Sequence, residues 1–331
     1  MKKTPVLNGQ LLSIVVPLYR EGGQIRFVLE SIRESLKATD ISYEIILVDD
    51  GSPDNTWSVV TQEAAKYSMI RAVRLSRNFG KELALCAGLD LARGDAVIVM
   101  DGDGQHPPAL IPQMVRIWRE HDADVVEATK VSRGKESPID KLSAALFYLL
   151  WNQLSGFELR GASDFKLMNR RTVDALLQMD ERNVFFRGMT AWLGFNRVQI
   201  PFEVANRAGG KSGWSFLRRM KLALTGISSF STLPLQLITI AGVLFLLFAI
   251  LVAAQTTVVI LLGRAVSGFA TVIFLLLLIG SLLMISLGVI GEYLARIYDE
   301  VKRRPRYVIA RSIESPAVQQ KAYKSFSATA G

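Results

Sequence analysis

The sequence predicts an α/β domain, a mostly parallel sheet with helices on both faces, followed by interfacial helices and two C-terminal transmembrane helices. Three observations predict it. Short runs rich in Val and Ile alternate with longer stretches of helical period over the first two-thirds of the 331 residues. Acids end two of those runs, Asp49 and Asp50 the second and Asp101 and Asp103 the fourth, where ligands gather in such sheets. The apolar excess behind the 50% hydrophobic composition is packed between Pro234 and Gly291.

Ser13 to Tyr19 (SIVVPLY) reads as the first strand and Gln24 to Lys37 as the first helix. Tyr43 to Asp50 (YEIILVDD), Met69 to Ser76 (MIRAVRLS), Asp95 to Asp101 (DAVIVMD) and Ala123 to Lys130 (ADVVEATK) continue the strands, their β-branched residues suited to a pleated surface. Helical spacing fills the intervals at Asp54 to Lys66, Lys81 to Ala92 and Pro108 to Arg119, the last opened by prolines as a first turn allows. Strand and helix in alternation imply crossover connections, hence parallel pairing. A dinucleotide-binding Rossmann domain needs G-x-G-x-x-G after the first strand, and VVPLYREGG does not contain it.

Pro234 to Ala254 and Phe269 to Gly291 are each long enough to span a hydrocarbon core of about 30 Å, and no acidic or basic residue interrupts them before Glu292. A soluble helix of that length would show a polar face, so both read as transmembrane helices. Arg218, Arg219 and Lys221 precede the pair, Arg296, Lys302, Arg303, Arg304 and Arg306 follow it, and Arg264 alone lies between. That asymmetry predicts a multi-pass protein of the cytoplasmic (inner) membrane with the catalytic domain and both termini cytoplasmic. Trp214, Leu217, Met220, Leu224 and Ile227 recur at helical spacing, so Ser215 to Phe230 is expected to lie on the membrane. Ile139 to Leu154 reads either as a second such helix or as a core helix. The expected division is a catalytic domain over residues 1–210, an interfacial amphipathic helix over 211–233, a transmembrane hairpin over 234–291 and a basic cytoplasmic tail over 292–331.

Met1 to Gln10 lacks the apolar run of a secretory signal, so the catalytic domain is expected to stay where it is made. Cys86, the single cysteine, cannot form an intramolecular disulfide and reads as a small core residue. The net charge of +9 is not interleaved with aromatics, which favours anionic lipid and phosphorylated substrates over nucleic acid.

In Met100-Asp101-Gly102-Asp103-Gly104-Gln105, carboxylates at i and i+2 point the same way from an extended backbone, with glycines leaving room for a large ligand. Acids at strand ends also serve as solvated turn formers, but two clusters at two ends favour a ligand. The oxygens suit one hard cation, Mg²⁺ or Mn²⁺, completed by substrate phosphates. Such a cation would neutralise a departing nucleoside diphosphate. His106 has no partner at ligand spacing and reads as structural.

Longer stretches carry a resemblance: VVPLYREG at Val15 to Gly22, EIILVDDGSPDNT at Glu44 to Thr56, LSRNFGKELALCAGLDLARGD at Leu75 to Asp95 and MDGDGQHPP at Met100 to Pro108. GASDFKLMNR at Gly161 to Arg170, ERNVFFRGMTAWLGF at Glu181 to Phe195, SFSTLPLQL at Ser229 to Leu237 and GEYLARIYDEVKRRPRYVI at Gly291 to Ile309 follow in order. Together they resemble the family 2 glycosyltransferases of GT-A fold, and within them the polyprenyl-phosphate group that includes bactoprenol glucosyltransferases and dolichol-phosphate mannose synthases.

The resemblance implies nucleotide contacts from Pro17, Tyr19, Glu21, Asp50, Lys81, Asp101 and Gly102, with Asp50 on the base. It implies a metal at Asp101 and Asp103 with Gln105, and a catalytic centre with Asp103 and Asp164, the latter placing acceptor or sugar in preference to acting as a base. Arg20 stands where many members have Asn. The implied partners are a nucleotide sugar, UDP- before GDP-, polyprenyl (undecaprenyl) phosphate, membrane lipids, a downstream flippase and a second copy of the chain. The implied reaction transfers a hexose, glucose from UDP-glucose, with inversion. A GDP-mannose-using mannosyltransferase, a processive polysaccharide synthase and a non-catalytic scaffold are the alternatives, though a synthase usually has more spans and a Q-x-x-R-W motif.

The acceptor chemistry follows without the family. A lipid phosphate with a second pKa of about 6 is largely ionised at neutral pH and needs no strong base. It does need positive groups to hold it against a diphosphate. Arg133, Lys135, Arg207 and Lys211 are the candidates, alongside a reading as ordinary surface or headgroup contacts; family members carry Arg where Arg207 stands.

Overall fold

The computed structural model describes residues 9–130, 163–179, 181–182, 184–202, 233–263 and 268–314. The described residues fall into two compact units, one holding those of 9–130, 163–202 and 304–314, the other those of 233–303.

The first unit is built on β1 (Leu11–Leu18), β2 (Ser42–Asp49), β3 (Ile70–Leu75), β4 (Ala96–Val99), β5 (Val125–Lys130), β6 (Lys166–Asn169), β7 (Arg197–Phe202) and β8 (Ile309–Ile313). Its helices are α1 (Ile25–Leu36), α2 (Thr56–Lys66), α3 (Lys81–Leu91), α4 (Ile111–Glu120), α5 (Arg170–Gln178) and α6 (Phe186–Trp192). The strands form one sheet in the order β7-β5-β6-β4-β1-β2-β3-β8.

The centre of that sheet, β4-β1-β2-β3, is parallel throughout, as connections through α1, α2 and α3 require. Antiparallel strands flank it: β6 runs against both β4 and β5, and β8 runs against β3. This is a GT-A-like mixed sheet. Leu12, Ile14, Val16, Ile45 and Leu47 face one core with α1, α2 and α4. The alternate positions Val15 and Val48 lie under Gly88, so α3 covers the other face. Asn169 caps α5 by accepting the Thr172 N–H at 2.9 Å, and joins β6 to that helix without a loop.

The second unit contains α7 (Leu233–Leu261) and α8 (Phe269–Val301). Ile238–Val259 and Leu275–Val301 have mean hydropathies of 2.5 and 2.2, and both helices are long and apolar enough to cross a membrane. Their apolar side chains face outward rather than into a core: Leu251 is 63% exposed and Met284 71%. The helices run beyond the expected spans. Thr256 and Thr257 lie in that extension of α7, their hydroxyls satisfied within the helix by donating to the Val252 and Ala253 carbonyls, at 2.8 and 2.9 Å. Beyond Gly291, α8 continues to Val301, and β8 follows it within the stretch expected to be a basic tail.

Candidate active site

Adjacent acids at the end of β2 hold two loops. Asp49 accepts the Ser52 N–H at 3.0 Å and lies 3.2 Å from Arg74 Nε. Asp50 accepts the N–H groups of Phe79 at 2.7 Å and Gly80 at 2.9 Å, and so fixes the loop that opens α3. Burial raises the pKa of both carboxyls against these bonds. The two loops can approach because Gly51 has φ +64° and carries no Cβ, which would lie 2.4 Å from the Arg77 carbonyl carbon.

After β4 the chain turns through Asp101 to Gln105, with Asp103 Oδ1 accepting the Gln105 N–H at 3.0 Å. Gly102 lets this turn pack on the end of β1: a Cβ there would stand 2.5 Å from Leu18 Cδ2 and 3.3 Å from the Pro17 carbonyl oxygen. On that side the space expected for a ligand is filled by protein. His106 supports Asp101 from behind. It is 3% exposed, accepts the Asp101 N–H on Nδ1 at 2.9 Å and stacks on Phe165 with ring centroids 5.1 Å apart. Burial lowers its pKa, which keeps the ring neutral.

Lys81, the first residue of α3, joins the two halves of the site. Its Nζ lies 2.6 Å from Asp101 Oδ1 and 2.6 Å from Asp164 Oδ2. Asp164, just before β6 and 3% exposed, also receives the fork of Arg187 from α6, Nε to Oδ1 at 2.7 Å and Nη2 to Oδ2 at 2.8 Å. Burial opposes the Asp164 charge, but Arg187 and then Lys81 outweigh it and hold the carboxyl well below the usual range. Glu82 ties the same two helices by accepting the Phe186 N–H at 2.9 Å. Burial, then the charge of Asp164, push Glu82 up to about 7. Beneath Arg187, a buried pair of Lys166 and Glu127 at 3.0 Å holds α6 through a 2.9 Å bond from Lys166 Nζ to Thr190 Oγ1.

The structure thus draws Lys81, Asp101 and Asp164 into one chain of charge, and sets Asp103 and Gln105 in the turn beside Asp101. Pro17 is buried in β1 beside Val48, Tyr19 follows at 39% exposure, and the Glu21 N–H donates to Thr56 Oγ1 at 3.1 Å. Arg20 has φ +60°, a left-handed conformation that Asn adopts more readily. Arg133, Lys135, Arg207 and Lys211 lie outside the described residues, as do the expected helices at 139–154 and 215–230. Arg187 and Glu82 were not singled out by the sequence; Arg187 sits within a matched stretch, but nothing in its spacing links it to Asp164.

Among the described residues no three His, Cys, Asp or Glu side chains gather as a closed metal site. The donor set fits a hard cation completed by substrate. Asp101 Oδ1 is buried and takes no well-directed hydrogen bond, even with Lys81 so near, and Asp103 offers a second carboxylate two residues on.

The model of Glycosyl transferase family 2 matches residues 13–177. A glycosyltransferase of Synechocystis sp., described as uncharacterized, is 40% identical over 301 residues, 90% of this chain and 94% of its own. The chain belongs to glycosyl transferase family 2. This glycosyltransferase is also 35% identical over 302 residues to a prophage bactoprenol glucosyl transferase homolog of Escherichia coli, covering 91% of this chain and 98% of that one. Among solved structures it is similar to glucosyl-3-phosphoglycerate synthase from Mycobacterium tuberculosis, with TM-score 0.46 and 20% identity over 66% of this chain and 79% of that chain.

Proposed function

We propose that this glycosyltransferase moves glucose from UDP-glucose to a polyprenyl phosphate, undecaprenyl phosphate in kind, with inversion, on the cytoplasmic face of a membrane. The observation that carries the reading is the charged chain Asp101–Lys81–Asp164–Arg187 at the carboxyl end of the sheet, in a protein that also has two helices able to cross a membrane. A relative described as a bactoprenol glucosyl transferase homolog supports both acceptor and sugar.

In this reading the nucleotide lies along the ends of β1 and β2, over Pro17, Tyr19, Glu21 and Asp50, and its diphosphate reaches Lys81 and Gly102. Asp101 and Asp103, with Gln105 in the same turn, would hold Mg²⁺ or Mn²⁺, which when bound supplies charge neutralisation to the leaving diphosphate. The acceptor phosphate oxygen forms its bond to the anomeric carbon as the bond from that carbon to the diphosphate breaks, and UDP departs. No proton has to be removed, because the phosphate attacks already ionised. A strongly depressed Asp164 is a poor base, which favours a positioning role: with Arg187 it fixes a rigid wall for the sugar and acceptor. Arg133, Arg207 and Lys211 supply charge for the acceptor phosphate.

The test is incubation of the purified protein with polyprenyl phosphate and a panel of radiolabelled UDP- and GDP-sugars, followed by mass spectrometry and anomeric coupling constants. A β-linked polyprenyl monophosphate glucose is expected from UDP-glucose. A diphosphate-linked sugar, an α-linkage or a water-soluble polymer would overturn the reading.

A further inference from the structure

Lys81 stands between two carboxylates that differ in what else they have. Asp164 holds the Arg187 fork as well as the ammonium, whereas Asp101, among the described residues, has Lys81 at 2.6 Å and the His106 ring with Nε2 3.8 Å away. Asp164 therefore keeps a direct ionic partner when Lys81 leaves, whereas Asp101, among the described residues, keeps only the longer-range field of Arg187. The ammonium meets Asp101 through one carboxylate oxygen, without the two-pronged geometry of the Arg187 fork on Asp164, so less geometry is lost when another cation replaces it. Lysine is suited to such an exchange, since it is a point charge on a flexible four-carbon stem.

We propose that Lys81 is a place-holding cation, which neutralises Asp101 in the donor-free enzyme and yields it to the divalent ion only when a nucleoside diphosphate arrives to take the ammonium. A divalent ion and an ammonium on one carboxylate repel each other, so metal alone enters poorly. Diphosphate oxygens accept the displaced ammonium in charge-assisted bonds. Metal and nucleotide then bind as one unit, and Asp101 is never left as an uncompensated charge. The inference rests on the donor site proposed above and adds an order of binding to it.

The experiment titrates Mn²⁺ into the full chain in detergent and reads free Mn²⁺ by electron paramagnetic resonance, with and without UDP. In the wild type, UDP should raise Mn²⁺ affinity by about tenfold or more, a usual size for coupled sites. Lys81→Gln should bind Mn²⁺ several-fold more tightly without nucleotide and lose most of the UDP enhancement, while Lys81→Arg keeps the wild-type ratio. If Lys81→Gln does not fold, Lys81→Met, which keeps the apolar stem, is read in the same way. Mn²⁺ affinity without nucleotide that is unchanged or weaker in the neutral variant overturns the place-holding role alone. Wild-type Mn²⁺ binding that responds to neither UDP nor GDP overturns the donor site and this inference with it.

Discussion

Asp164 is held by two cations at once, so its charge is a structural member as much as a chemical one. Asp164→Asn should release both Lys81 and Arg187 and lower kcat about 100-fold through misplacement, with UDP affinity little changed; steady-state kinetics beside nucleotide titration check this. Activity should vanish in EDTA and return with Mg²⁺ or Mn²⁺, and Asp103→Ala should be inactive; full turnover in chelator would remove the metal from the reading. Glu82 adds a pH dependence. Its native pKa of about 7 lies above the ordinary 4.5, so the folded protein keeps a proton that the unfolded chain has lost. Stability from this group is present below about pH 4.5 and declines as pH rises toward 7. Melting curves in detergent should show Glu82→Gln flattening that decline. Asp101, Asp103 and Gln105 stand out as a cluster because they lie within five residues of one another, whereas Lys81 and Asp164 are pointed to by the resemblance alone. Arg187 was not legible, since its meeting with Asp164 depends on where α6 docks, and Gly102 was legible for the wrong reason, its Cβ side being packed on β1 instead of open.

The central strands and their helices match the expected runs to within a residue or two, because Val and Ile alternating with polar boundaries mark parallel strands directly. Outside that parallel centre the sequence marks β5 as a strand but not β6, β7 or β8. β6 is four residues long and contains Lys166, a buried cation that reads as surface until its Glu127 partner is known. β8 follows a long helix within a basic stretch, where charge suggested a free tail. It is held by its ladder to β3, by Arg306 donating to the Met179 carbonyl and by Tyr307, whose hydroxyl donates to Asp90 at 2.5 Å. Burial and that carboxylate raise the Tyr307 pKa, so the bond persists across ordinary pH. Tyr307→Phe should cost about 1 kcal/mol, seen as a fall of a few degrees in Tm, and deletion of 309–313 should cost considerably more. An unchanged melting temperature in the deletion would mean that β8 does not support the sheet.

For the chain as a whole, the charge flanks and the apolar helices predict one arrangement that labelling can check. A reporter that fluoresces only in the cytoplasm, fused after Gly331, should be bright, and a tag near Arg264 should react from the outer side. The opposite pattern would overturn the cytoplasmic placement of the catalytic unit. Position in the chain also sets an order in time. β3 leaves the ribosome with its outer edge bare, and the strand that covers it is translated only after both apolar helices. Until then the nascent enzyme shows unpaired N–H and C=O groups, the feature on which sheets aggregate and chaperones take hold. A chain cut short between α7 and α8 would keep that edge of β3 exposed, because the strand that pairs with it would never be made.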